Sequence, residues 1–311
     1  MTSTVTSVTT APPGYSRSRF LDDIKKTAKA INASYSESSV AIVLDTFQDF
    51  FLDEVIIFRT TDRPRDALNY RLFIDKNADT ISMAKKANLL DSNHTMIVPL
   101  EIWCAVYGSE HQQWCDFDAN AGLAKTWLHF MTPRPVAELL MVPGISFSLR
   151  SHLPTFQNLN LNMVWFVSVD YHKSTLNIYF MVPGALFREH ATRLTGLAAS
   201  SPLSEAEFED MQKYMNPHGY LFTVTLRYPE ATIPRVAFYA LNLVPDQVKI
   251  DDGPLREFLD VCPSYDARPA AALAWSFGPG GDRYKKLELG YANGFGELMR
   301  VTAGRAAECF T

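Results

Sequence analysis

Five cations stand singly inside strand-like apolar runs: Arg59, Arg71, Lys125, Arg235 and Lys286. Lys and Arg are rarely buried without a partner, so strands that carry them towards a shared interior would build a polar chamber rather than an apolar core. The partner such a chamber lacks is an anion with several charges. Residues of matching parity beside these cations are aromatic or amide: Trp127 and His129 with Lys125, Asn69 and Phe73 with Arg71, Tyr239 with Arg235; Asn177 and Tyr179 share another strand face. Each cation alone is explained more simply by a solvated strand face. The five together, with aromatic companions, favour an interior. Glu288 lies two residues from Lys286 and on the same face, as either an acid–base group or the salt-bridge partner of an interior cation.

Other candidate chemistry carries less weight. Gly278-Pro-Gly-Gly-Asp282 lacks the Gly-Lys-Ser/Thr ending of a phosphate loop and lies between strands, as a hairpin turn does. Cys104, Cys115, Cys262 and Cys309 form no CxxC pair, so neither zinc nor a disulfide framework is indicated. His94, His111, His152, His172, His190 and His218 are scattered over expected loops and element ends, and no GxSxG context supports a hydrolase.

The elements that must position the cations follow from periodicity. Residues 18–33 and 39–51 have helical spacing; 55–60 and 68–73 read as strands around an Asp- and Pro-rich turn. The order then recurs: helical 77–91 and 99–107, strand 123–130, helical or irregular 134–158, strands 163–171 and 175–181, helical 185–215, strands 220–228 and 235–243, helix 253–262, strands 272–277 and 284–291. Successive hairpins imply an antiparallel sheet and disfavour a parallel dinucleotide-binding domain. Closed into a barrel, it would place cations and aromatics inside, while opposite faces such as Ala124, Thr126 and Leu128 carry helices.

The chain has 311 residues, 47% hydrophobic and 20% charged, with a net charge of -5, which argues against non-specific binding to nucleic acid or anionic membrane. The Ser- and Thr-rich start has neither a basic nor an apolar segment of a signal peptide, and no stretch is long enough to span a bilayer, so a cytoplasmic protein is expected.

Taken in order, Asp45-Thr-Phe-Gln-Asp49, Leu123-Ala-Lys-Thr-Trp127, Val169-Asp-Tyr-His-Lys173, Leu176-Asn-Ile-Tyr-Phe180, Pro234-Arg-Val-Ala-Phe-Tyr239, Trp275-Ser-Phe-Gly278 and the 284–291 strand resemble the soluble aromatic prenyltransferases of the ABBA type. The likeness runs from about Arg19 to Met299 and is strongest to aminocoumarin-pathway 4-hydroxyphenylpyruvate prenyltransferases and fungal phenol prenyltransferases. It implies an α+β fold: a closed, ten-stranded antiparallel barrel of ααββ units with helices outside. A single barrel domain over 18–300 would lie between tails at 1–17 and 301–311.

By the same resemblance, Arg59, Arg71, Lys125, Lys173, Asn177, Tyr179, Arg235, Tyr239 and Lys286 match positions on the diphosphate side. Glu288 matches an acceptor-side Glu, and Trp165 and Phe166 map to the acceptor pocket, Phe166 with opposite strand parity. Partners would be dimethylallyl diphosphate and a small aromatic acceptor, with the chain a monomer. Two departures refine this. Magnesium-dependent relatives have an Asp where Asn69 stands, and Arg71 follows on the same face, which implies metal independence and no cofactor. Trp165 replaces an Arg that can pair with a substrate carboxylate, which favours a neutral phenol or hydroxynaphthalene. The competing expectations are a barrel that binds an anionic or aromatic molecule without turnover, and an ordinary α+β protein with surface ion pairs.

Overall fold

The computed structural model describes residues 15–75 and 78–308. Ten strands close into one barrel: β1 (Val55–Thr61), β2 (Asn69–Phe73), β3 (His111–Asp118), β4 (Gly122–Pro135), β5 (Met163–Asp170), β6 (Thr175–Pro183), β7 (Gly219–Arg227), β8 (Thr232–Leu243), β9 (Ala271–Phe277) and β10 (Arg283–Ala292). Each pairs antiparallel with its neighbour in sequence, and β1 closes on β10, so no strand edge is left open.

Helices separate the hairpins. α1 (Arg17–Ala30), α2 (Glu37–Thr46) and α3 (Gln48–Phe51) precede the first, and α4 (Thr80–Lys86) and α5 (Ile97–Tyr107) the second. Three short helices, α6 (Val136–Leu140), α7 (Phe147–Arg150) and α8 (Leu153–Asn158), come before the third. α9 (Arg188–Gly196) and α10 (Glu205–Gln212) precede the fourth, α11 (Pro254–Val261) the fifth, and α12 (Phe295–Glu308) follows the barrel. Their starts have local causes: the hydroxyls of Ser16 and Ser36 accept from the amides of Arg19 and Ser39, and Ser204 with Glu207 forms a capping box. α1 turns Phe20, Ile24 and Ala28, at helical spacing, onto the sheet.

The two-residue period of the strands divides the buried side chains into two cores. Outward residues such as Phe58, Tyr70, Phe117, Leu128, Ile178 and Phe222 pack with the helices. Inward residues form a second cluster, Ile57, Phe73, Trp114, Trp127 and Tyr179 among them, joined by Phe295 and Met299 of α12, which thereby plugs one end of the barrel. Most of the inner aromatic rings lie on β2 to β6; β8 adds Tyr239 beside Ala237, and β9 contributes Ala272 and Ala274.

The structure departs from the sequence expectations in several places. Strand β3 went unassigned, although it begins at His111, which is buried rather than in a surface loop. Ala124, expected outside, sits at a bulge between β3 and β4 and lines the barrel mouth. The helical 185–215 region is divided into α9 and α10. At the chain ends the ordered fold exceeds the expected domain: Tyr15 is buried with its hydroxyl donating to the Phe51 carbonyl, and α12 continues through 301–308. Residues 1–14 and Cys309 lie outside the described residues.

Gly290 marks where α12 meets the barrel. A Cβ there would stand 2.9 Å from both the Phe295 Cβ and an Asp266 carboxylate oxygen. Gly290→Ala should therefore destabilise the fold by about 1–3 kcal/mol through overpacking. Chemical denaturation reads this as a lower midpoint at unchanged slope; an unmoved midpoint would mean that the plug yields freely.

Candidate active site

Cross-strand register assembles the charged side chains. Arg59 lies opposite Glu288, Arg71 opposite Asp116, Asp116 opposite Lys125, and Lys125 opposite Asp170, so charges alternate from β2 to β5, and β1 and β10 add a further opposed pair. At the centre, Asp116 accepts from Arg59 Nη1 at 2.9 Å and from Arg71 Nε at 2.5 Å. The other face of Arg71 is a fork: its Nη1 and Nη2 donate to the two Glu288 carboxylate oxygens at 3.2 and 3.3 Å. The Arg71 guanidinium also lies 4.1 Å from the Trp127 ring centroid. Two guanidinium groups and two carboxylates thus form a buried cluster whose formal charges cancel. Burial alone would raise the Asp116 pKa, but Arg71 and Arg59 outweigh it and hold the group down to about 2. For Arg71, burial opposes the charge, and Asp116 and Glu288 more than restore it.

Towards the open end the balance changes. A cavity of about 230 Å³ is lined there by the cations Arg59, Arg63, Lys125, Lys173, Arg235 and Lys286, against the carboxylates Asp66, Asp118 and Asp170. Lys125 pairs with Asp170 at 3.3 Å, and Lys286 donates to the Tyr239 hydroxyl at 2.9 Å. Burial pulls both lysines down, Lys125 to about 7 and Lys286 to about 8, with Asp170 and Tyr284 opposing it respectively. Arg63 lies 4.1 Å from the Tyr284 ring centroid and Arg235 5.8 Å from it. For the Tyr284 phenol itself, burial raises the pKa, but Arg235 and Lys286 bring it below its ordinary value. The mouth is therefore a concave surface with surplus positive charge.

Aromatic rings line the other end of the lumen. A bulge causes part of this: Val164 pairs with Phe180 and Phe166 with Tyr179, which leaves Trp165 as an extra residue in β5. Both Trp165 and Phe166 consequently join the inner cluster, their rings stacked at 5.4 Å and 12°. The opposite parity expected for Phe166 is thus removed by the bulge. Trp127 and Tyr179 meet at 4.6 Å between this end and the charged cluster.

Of the residues expected at the anion, Arg59, Lys125, Lys173, Arg235 and Lys286 surround the cavity, with Lys173 exposed on the β5–β6 turn. Arg71, Tyr179 and Tyr239 are buried in the lumen without lining that cavity. Asn177 is committed to neighbouring strands: its amide donates to Ser168 Oγ, and its carbonyl accepts from Thr225 Oγ1. It is correspondingly absent from the cavity wall. Sequence reasoning missed Asp116, the hub of the cluster, together with Asp170 and Arg63. The alternation of Trp114, Asp116 and Asp118 in the unassigned strand was the available signal for the first. Among the described residues no group of three or more His, Cys, Asp or Glu side chains could hold a metal ion, and no helix is long and apolar enough to cross a membrane.

The depressed lysines predict proton-linked anion binding. An unreactive alkyl diphosphate seated at the mouth would favour the charged amines and raise their pKa above the free values of about 7 and about 8. A group whose pKa rises on binding takes up a proton between its free and bound values, so affinity should fall as pH rises through that window. Calorimetry in buffers of differing ionisation enthalpy should show proton uptake that begins above about 7, from Lys125, and is joined above about 8 by Lys286. Affinity that is flat with pH, without proton exchange, would contradict the assignment.

Comparison with known proteins agrees with this geometry. The family model for aromatic prenyltransferase Orf2 matches residues 15–304. An aromatic prenyltransferase of Arthroderma otae is 40% identical over 273 residues, covering 88% of this chain and 87% of the relative. The 4-hydroxyphenylpyruvate 3-dimethylallyltransferase of Streptomyces niveus is 34% identical, covering 92% and 88%. Among solved structures, 5-dimethylallyl tryptophan synthase from Streptomyces coelicolor, in complex with DMASPP and Trp, superposes with a TM-score of 0.55 at 11% identity, over 87% of this chain and 93% of the other. Prenyltransferase PriB with L-tryptophan and dimethylallyl thiolodiphosphate gives 0.56 at 13%, over 88% and 95%. The chain belongs to the aromatic prenyltransferase Orf2 family and is an aromatic prenyltransferase with the ABBA barrel.

Proposed function

We propose that the enzyme transfers a dimethylallyl group from dimethylallyl diphosphate to a ring carbon of a neutral, electron-rich phenol or hydroxynaphthalene, without a metal ion, in secondary metabolism. The observation that carries this reading is the order of surfaces along one lumen: a cation-lined cavity at the mouth, Glu288 on Arg71 below it, and aromatic walls beyond. The diphosphate would sit among Arg59, Lys125, Arg235 and Lys286. As the allylic carbon–oxygen bond breaks, its electron pair leaves with the diphosphate, and fixed cations stabilise that charge without reorganising; one such donor is worth about 3 kcal/mol in the transition state.

The allylic cation would face Trp127, Tyr179 and Tyr239, whose rings attract it and exclude water. The acceptor carbon attacks to form the new carbon–carbon bond. Glu288 takes the hydroxyl proton during attack, and one returns to the oxygen when the ring loses its carbon-bound proton and regains aromaticity. Arg71 keeps the carboxylate oriented for this exchange. Metal independence rests on Asn69, a neutral amide whose nitrogen donates to the Ala67 carbonyl, and on the fixed guanidinium groups nearby. Preference for an uncharged acceptor rests on Trp165, an indole where a carboxylate-binding Arg would be needed.

Mass spectrometry of products from the purified chain, dimethylallyl diphosphate and a panel of phenols and dihydroxynaphthalenes tests both parts. Equal rates of carbon prenylation in EDTA and in Mg²⁺ are expected. Product only with Mg²⁺ removes the metal-free account, and diphosphate binding without any product overturns the proposed donor–acceptor pairing. Glu288→Gln should lower kcat about 100-fold or more while alkyl diphosphate affinity holds; unchanged turnover would assign the proton to another group.

A further inference from the structure

Trp165 stands at the bulge, where β5 holds its side chain least firmly. Pairing with β4 is irregular between His129 and Arg134, and pairing with β6 skips Trp165 itself. The backbone ladder therefore does not fix the tilt of the indole, which is set by side-chain contacts: stacking on Phe166 and one hydrogen bond. Trp165 Nε1–H donates to His129 Nε2 at 2.9 Å. An indole nitrogen only donates, so Nε2 carries the lone pair and the imidazole proton sits on Nδ1. Nδ1–H in turn donates to Gln112 Oε1 at 2.9 Å, and the Gln112 amide donates to the carbonyl and carboxylate of Asp75. Each donor and acceptor from the lumen to the barrel rim is thus assigned.

Stacking fixes the remaining freedom of His129. Its ring lies between Trp114, at 4.5 Å and 24°, and Phe166, at 5.1 Å and 28°. The residue is 4% exposed. A neutral imidazole sandwiched in this way is a rigid acceptor held at a fixed point beneath the indole.

We propose that His129 is a positioning residue that acts through Trp165: it sets the tilt of the indole and thereby the selectivity of the enzyme among aromatic acceptors. The inference rests on the reading that Trp165 lines the acceptor pocket. His129→Phe keeps a stacking ring and removes the acceptor nitrogen; His129→Gln offers an amide that accepts from the indole and donates to Gln112.

The test uses the full chain with dimethylallyl diphosphate and two competing acceptors, a dihydroxynaphthalene and a smaller neutral phenol. His129→Phe should raise the dihydroxynaphthalene KM about tenfold and change the product ratio, with the donor KM held, since a buried donor has lost its partner. In a Trp165→Phe background the same substitution should have no further effect, and His129→Gln should restore most of the acceptor KM. An equal effect of His129→Phe in both backgrounds, or a matching rise in donor KM, overturns the proposal. An unchanged product ratio in Trp165→Phe alone overturns the acceptor-pocket reading itself, and the proposal with it. Nitrogen NMR of the unsubstituted protein gives an independent check: His129 protonated on Nδ1 supports the proposal, and a proton on Nε2 overturns it whether or not the variants fold.

Discussion

Asp116 stands between two guanidinium groups, and the interior of the barrel is organised around that bond pair. An arginine in the middle of a closed sheet is tolerable only with a carboxylate in register, because the cost of removing the ion from water has to be met at close range. Asp116 meets it for both Arg59 and Arg71, and Glu288 takes the remaining edge of Arg71. Neutralised in this way, the cluster is a stable partition across the lumen. Positive charge is left in surplus above it, at the mouth, and most of the aromatic lining lies below. The separation of a cation-rich mouth from an aromatic chamber follows from where the counter-charges are placed.

The barrel makes this partition possible and also restricts it. Closing ten antiparallel strands leaves every second side chain facing inwards, so the charged register and the aromatic lining share one set of positions. The inner wall is uneven: most large rings project from β2 to β6, while Ala237, Ala272 and Ala274 leave the β8–β9 wall low around Tyr239. On the proposed reading, a planar acceptor would use the space above those alanines. Plugging by Phe295 and Met299 turns the lumen into a chamber with one charged entrance.

Much of this was legible in the chain itself, because period-two parity fixes which strand residues share a face. Lys125 with Trp127, Arg71 with Phe73 and Lys286 with Glu288 do lie together inside. Strand β3 escaped for a physical reason: its outward face begins with His111 and Gln113 and turns apolar only at Cys115 and Phe117, while Trp114 stands between Gln112 and Asp116 on the other, so neither parity stands out. Asp116 went unseen with it. The bulge at Trp165 had no signal either, since Met163-Val-Trp-Phe-Val167 is apolar throughout and an inserted residue changes no pattern. Asn177 erred differently. Parity put it correctly in the lumen, but only the positions of Ser168 and Thr225 reveal that its amide nitrogen and carbonyl each hold a neighbouring strand.

The two kinds of cation in this lumen suit two stages of one reaction. Guanidinium groups remain charged whatever their surroundings, and those of Arg59 and Arg71 are locked by carboxylates, so they offer a constant field. The lysines at the mouth behave otherwise, since burial brings Lys125 to about 7 and Lys286 to about 8, close to where ammonium and amine coexist. An empty mouth is thereby spared some mutual repulsion among its cations. On the proposed reading, a diphosphate arriving at the mouth would draw the lysines to full charge, and a leaving group that gains charge as its carbon–oxygen bond lengthens would interact with them more strongly. Stabilisation would then increase along the reaction coordinate, which is the condition for accelerating bond cleavage rather than merely binding the donor.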